Sequence, residues 1–194
     1  MNIQCWNIRG LNQPQKQQEV ARLVHALNLD VVGLVETKVK FSNQDIIKNN
    51  IFPNWNFITN SQPDFIGRIW VGWNPGKVNV SLLSCSAQMI HVKIDNPDSS
   101  ISFEASFVYA LHTIFDRRPL WREIKQCATS NGHLPWICLG DFNVVLSANE
   151  VFGTGPRKDL GVDEFNALVN ANCLVDLRYT GAFFSWNNRR SDSE

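Results

Sequence analysis

The chain has 194 residues, with 18 Lys plus Arg against 18 Asp plus Glu and a formal net charge of zero. That length fits one domain, and 44% hydrophobic with only 19% charged residues excludes a disordered chain. The neutral balance excludes a strongly cationic coat, so any nucleic-acid contact must rest on local patches.

In chain order, Asn2 to Ile8 reads as a strand ended by Gly10. Val20, Leu23, Val24 and Leu27 fall at helical spacing, predicting a helix from Pro14 to Asn28 with Asn12 as its N-cap. Asp30 to Val35 is a continuous apolar run, as in a strand buried on both faces. A short helix is expected around Ser42 to Asn49. Five strands follow, at Trp55 to Thr59, Ile69 to Trp73, Val78 to Leu83, Met89 to Ile94 and Ile101 to Val108. Turn residues such as Asn74-Pro75-Gly76 and Asn96-Pro97-Asp98 separate them, which predicts an antiparallel meander. A helix is expected from about Pro119 to Ala128, a buried strand at Trp136 to Leu139, a helix from Val162 to Asn172 and a last strand at Ala182 to Trp186. Alternation at both ends with a β-rich middle points to an α/β (α+β) sandwich of two sheets with outer helices.

The five cysteines, Cys5, Cys85, Cys127, Cys138 and Cys173, include no CxxC pair, and no signal-peptide pattern precedes them. They read as reduced thiols of a nuclear or cytoplasmic protein that is not secreted. No apolar run approaches a membrane span.

Three polar groups stand out because each follows an apolar strand. Asn7 closes the first, Glu36 closes the second, and Asp141 and Asn143 follow Ile137-Cys138-Leu139-Gly140. Rigid strand ends followed by loops are where such folds expose reactive side chains. Glu36 offers the hard oxygen that magnesium prefers, and a carboxylate beside an amide can orient water. Taken singly, a Glu after a strand is usually solvated and an Asp-Phe-Asn turn usually only closes a turn.

Together they are more specific. Trp6-Asn7-Ile8-Arg9-Gly10, Val35-Glu36-Thr37-Lys38, Val108-Tyr109-Ala110 and Gly140-Asp141-Phe142-Asn143 stand in the order and rough spacing of the endonuclease/exonuclease/phosphatase (DNase I-like) superfamily, which the whole chain resembles. Arg68 to Pro75, Arg117 to Trp121 and Phe184 to Asn188 are similar to connecting motifs of the endonuclease domain of plant LINE-type (non-LTR) retrotransposon proteins.

The resemblance implies a four-layer sandwich of two mixed β-sheets flanked by helices, over residues 1–194 as one domain. It implies Mg2+, or Mn2+ in its place, held by Glu36 and Asn7. Tyr109 would contact the scissile phosphate, with Asn7 helping to position it, and Asp141 and Asn143 would orient and activate the attacking water. Arg117, Arg157 and Lys158 are candidate contacts to a substrate phosphate. The expected reaction is hydrolysis of a DNA phosphodiester, nicking one strand, with no obligate protein partner evident. The parent element would carry a reverse transcriptase on the same chain. The family's late Arg-x-Asp and Ser-Asp-His segments have no counterpart before Glu194, so a domain truncated before its final strands, and poor or inactive as a nuclease, is the expectation. After Tyr109, Leu111-His112 stands where the subfamily usually has a small polar pair, and His112 reads as a surface loop residue. Two other readings stay open: a catalytically inactive retroelement fragment that at most binds DNA, and a phosphatase of small phosphoesters.

Overall fold

The structure is a computed structural model that describes residues 1–130, 132, 134–147, 150, 161–177 and 180. The expected strand at Ala182 to Trp186 and the basic residues Arg157 and Lys158 lie outside the described residues.

Among the described residues, eight strands form two four-stranded sheets. The first contains β1 (Ile3–Asn7), β2 (Val31–Val35), β3 (Asn56–Thr59) and β4 (Ile69–Trp73) in the order β1-β2-β4-β3. The second runs β5 (Asn79–Cys85), β6 (Met89–Asn96), β7 (Ile101–Tyr109) and β8 (Trp136–Asp141) in sequence order. β1 and β2 pair in parallel, as do β7 and β8; every other pairing is antiparallel. Both sheets are therefore mixed. The stretch expected as one meander is divided, with β3 and β4 in one sheet and β5, β6 and β7 in the other. The Asn74-Pro75-Gly76 turn carries the chain across, because both edges of β4 are already paired, one with β2 and the other with β3.

Strand alternation builds three apolar layers. Val31, Val35, Ile69 and Val71 meet Ile90, Val92, Ala105 and Phe107 between the sheets. On the opposite face of the first sheet, Val32, Leu34 and Trp70 are covered from α1 (Pro14–Ala26) by Val20 and from α2 (Gln44–Ile51) by Ile47 and Ile51. On the outer face of the second, Met89 and Val108 pack under α3 (Ile114–Ser130) and α4 (Val162–Ala171) through Leu120, Trp121, Ile124, Phe165 and Leu168. Gly33 has no side chain because none fits: a Cβ there would lie 2.2 Å from the Phe107 ring.

Two expected helix starts are corrected. α1 is capped at Gln13 rather than Asn12, whose side-chain amide donates to the Lys38 carbonyl at 2.9 Å. α3 begins at Ile114, with Pro119 inside it. The Asp116 amide donates to the Thr113 hydroxyl oxygen at 3.1 Å and that hydroxyl donates to the Asp116 carboxylate at 2.6 Å. This reciprocal capping pair supports a turn that a proline at the sixth helical position would otherwise weaken.

Asp30 ties the start of β2 to the chain's first residues. Its carboxylate accepts from the Asn2 amide at 2.8 Å and pairs with Lys77 at 2.8 Å. Burial pushes the Asp30 carboxyl up, but Lys77, the Asn2 amide and the terminal amine outweigh it and hold it below the usual carboxylate range. A depressed carboxylate contributes stability that is full above its unfolded value, about 3.9, and is lost as pH falls through the lower folded value. Asp30→Asn is expected to flatten that acid limb and to cost about 1–2 kcal/mol at neutral pH, measured by urea unfolding across pH 2 to 7. An unchanged acid limb would refute this assignment.

Candidate active site

The carboxyl ends of β1, β2, β7 and β8 meet at one end of the sandwich. Each parallel pair delivers two strand ends side by side, with Asn7 opposite Val35 and Tyr109 opposite Asp141 in register. Beyond β1 and β2 the backbones stay zipped: Gly10 donates to the Glu36 carbonyl at 2.8 Å and Leu11 to that of Thr37 at 2.9 Å.

Asn7, Glu36, Tyr109, Asp141 and Asn143 converge there. The Asn7 side-chain amide donates to Asp141 Oδ2 at 2.8 Å, and the Asn143 backbone amide donates to Asp141 Oδ1 at 2.9 Å. Asn7 Oδ1 accepts from the Arg9 amide at 3.1 Å. The Asn143 side chain donates to the Ala110 carbonyl at 2.5 Å, which fixes the loop after β8 against the end of β7.

The backbone here is bent into costly shapes. Arg9, Glu36, Lys38 and Asn143 have φ of 52°, 57°, 55° and 49°. Such conformations cost on the order of 1 kcal/mol or more for residues with a Cβ, and they persist only where surrounding structure enforces them. At Gly140 φ is 144° and an added Cβ would lie 2.0 Å from the Val108 carbonyl oxygen. Only glycine lets β8 press onto β7 one residue before Asp141.

The electrostatics follow from this crowding. Burial pushes the Glu36 carboxyl up, yet Lys38, Asn7 and the charge of Arg68 hold it below the usual carboxylate range. The Lys38 ammonium sits 2.6 Å from Glu36 Oε1. Burial and the charge of Glu36 push the Tyr109 phenol up, so it remains a protonated donor at neutral pH. Burial, with Asp141 adding to it, pushes the Cys5 thiol up to about 12, which leaves no thiolate nucleophile.

Arg117 is corrected. It is 2% exposed, and its guanidinium donates to the Asn143 carbonyl. It supports the Asn143 loop from behind rather than facing an incoming phosphate. Lys38 and Arg68 were not singled out from the sequence, although both lie within motifs that were. His112 is exposed and meets the Tyr109 ring edge-on, with centroids 6.3 Å apart.

The donor types fit a hard divalent cation. Glu36, Asp141 and the Asn7 amide offer oxygens only, and magnesium is commonly held by one or two carboxylates with waters and substrate phosphates completing its shell. Among the described residues no group of three or more His, Cys, Asp or Glu is placed to hold a metal ion.

Two mixed sheets with flanking helices and polar residues at the strand ends define a DNase I-like α/β sandwich. The chain belongs to the Endonuclease/Exonuclease/phosphatase family, whose model matches residues 5–193. Members of this family are generally hydrolytic and typically use divalent metals. Similar solved structures include the endonuclease domain of TRAS1, a telomere-specific non-LTR retrotransposon, at 13% identity and TM-score 0.66, covering 87% of this chain and 70% of that one. The AP endonuclease LMAP of Leishmania major matches at 16% identity and TM-score 0.64, over 87% and 65% of the two chains. A mannosyl-6-phosphatase of Bacteroides thetaiotaomicron matches at 17% and TM-score 0.55, over 73% and 65%. The chain thus spans about two thirds of the length of these structures. Among curated protein sequences nothing matches. No helix among the described residues is long and apolar enough to cross a membrane.

Proposed function

We propose that the chain is a magnesium-dependent phosphodiesterase that nicks one strand of DNA by water attack, of the kind carried by plant LINE-type retroelements. The observation that carries this is the doubly held carboxylate of Asp141, with Asn7 on one oxygen and the Asn143 amide on the other, beside Glu36. An ionised carboxylate has about four acceptor positions, so two amide donors orient Asp141 and still leave positions for a water. Asp141 then takes the water's proton as it attacks phosphorus. The Tyr109 phenol, kept protonated, donates to a phosphate oxygen as charge builds on it. Glu36 and Asn7 would hold the cation, which when bound offsets negative charge on the phosphate.

Two endonucleases among similar structures support a nucleic-acid substrate, since their matches cover 87% of this chain against 73% for the mannosyl-6-phosphatase. Magnesium-dependent nicking of supercoiled plasmid, run beside a panel of soluble sugar and inositol phosphates, tests the proposal. Nicking with no turnover of the panel supports it. Turnover of the panel alone would move the chain to the phosphatase reading, and no turnover of either would make it an inactive relative.

Metal binding is testable without catalysis. Saturating magnesium is expected to stabilise the wild-type chain by on the order of 1–3 kcal/mol, read as a raised Tm. Glu36→Gln removes the charge that holds the cation and should lose most of that response. An equal magnesium response in both proteins would remove Glu36 from the metal site.

A further inference from the structure

Arg68 immediately precedes β4 and has no part in the scheme above. Its backbone is pinned from both sides. Its amide donates to Asn60 Oδ1 at 2.9 Å, and its carbonyl accepts from the Thr37 amide, next to Glu36, at 3.2 Å. Asn60 is itself 4% exposed and donates to the Ser86 and Ala87 carbonyls at 3.0 Å each, so its side chain bridges the two sheets. The anchor of Arg68 is therefore as rigid as the sandwich. Its guanidinium carbon lies 5.6 Å from the centre of the Tyr109 ring. From there its charge acts on both Glu36 and the Tyr109 phenol.

Two carboxylates, Glu36 and Asp141, line a cleft that is to receive an anion. Lys38, another cation there, is bound up with Glu36 at 2.6 Å. Arg68 makes no ion pair within 4.0 Å among the described residues, and a guanidinium has about five N–H donors, of which the phenol can use only a part. A planar guanidinium placed over an aromatic ring and held by a fixed backbone is an arrangement that presents paired donors to phosphate oxygens.

We infer that Arg68 is a substrate-binding residue of this site, taking the non-bridging oxygens of the substrate phosphate from the Tyr109 side. This rests on the phosphoester-hydrolase reading of the cleft. It makes an anionic phosphate the recognised group and Tyr109 with Arg68 one recognition unit.

The test uses the full chain in magnesium, with inorganic phosphate as the probe, titrated calorimetrically, and plasmid nicking as a second readout. Arg68→Gln is expected to weaken phosphate binding about tenfold or more, with Tm within about 2 °C of wild type. Arg68→Lys keeps the charge but not the planar fork and should restore binding only in part. In nicking, KM should rise more than kcat falls. Arg22→Gln, on the exposed face of α1, is the control and should change nothing. Wild-type phosphate affinity in Arg68→Gln, or no phosphate binding by the wild type, overturns the inference. Phosphate binding lost in Arg68→Gln by a chain that hydrolyses nothing would sustain Arg68 and overturn the hydrolase. A hydrolase whose KM and phosphate affinity ignore Arg68 would do the reverse.

Discussion

Asp141→Ala is expected to cut magnesium-dependent nicking by about a hundredfold to ten-thousandfold, the range typical of losing a positioned general base. The Asp141 carboxylate is held through both oxygens, by Asn7 and by the Asn143 amide. Removing it takes away the proton acceptor and also the partner that aims the Asn7 amide. Asp141→Asn separates these two effects. It keeps the shape and one acceptor oxygen, so the loop should hold and Tm should stay close to wild type, yet an amide cannot take the water's proton. Activity should therefore fall nearly as far in Asp141→Asn as in Asp141→Ala. If Asp141→Asn retained nicking within about tenfold of wild type, Asp141 would be an orienting group only, and another base would have to be sought in the cleft.

Gly140→Ala is expected to be the most damaging glycine-to-alanine change among the described residues. The added Cβ would sit 2.0 Å from the Val108 carbonyl oxygen, on a backbone with φ of 144°. Overpacking costs about 1–3 kcal/mol and the backbone conformation about as much again, so a loss of at least about 2 kcal/mol in urea unfolding is expected. Relief is available only by moving β8 away from β7, which carries Asp141 and Asn143 with it. Nicking should thus fall even under conditions where the variant remains folded. Full activity with a wild-type unfolding midpoint would show that β8 is not held as tightly as its pairing with β7 implies.

Much of this site was legible in the sequence. β2 and β8 announced themselves as apolar runs, and each ended on a polar residue whose position after a strand implied exposure at a sheet end. The bridging role of Asn60 was not legible. Asn60 looks like a turn residue, and its partners Ser86 and Ala87 lie 26 and 27 residues away, beyond any local pattern. Arg117, beside the basic Arg118, was expected as a contact to a substrate phosphate. The early start of α3 turns it inward, while Arg118 stays exposed and pairs with Glu164 at 2.6 Å. That early start was itself hidden, because Pro119 resembles a first-turn proline and the Thr113–Asp116 cap lies in a segment without helical apolar spacing. The positive φ of Glu36 was equally hidden, since glutamate has no intrinsic preference for that conformation and only the zipped backbones around it impose one.

The hydrogen bond from Asn7 to Asp141 joins residues 134 positions apart. Contacts of such long range close large loops and belong to slowly formed topologies. Neither sheet owns the site: Asn7 and Glu36 come from one, Tyr109 and Asp141 from the other. A half-folded chain with one sheet complete thus carries half a constellation and no chemistry. In a refolding experiment the Asn7–Asp141 junction should be among the last regions to gain amide protection. The onset of phosphoester cleavage would then be a direct clock for completion of folding.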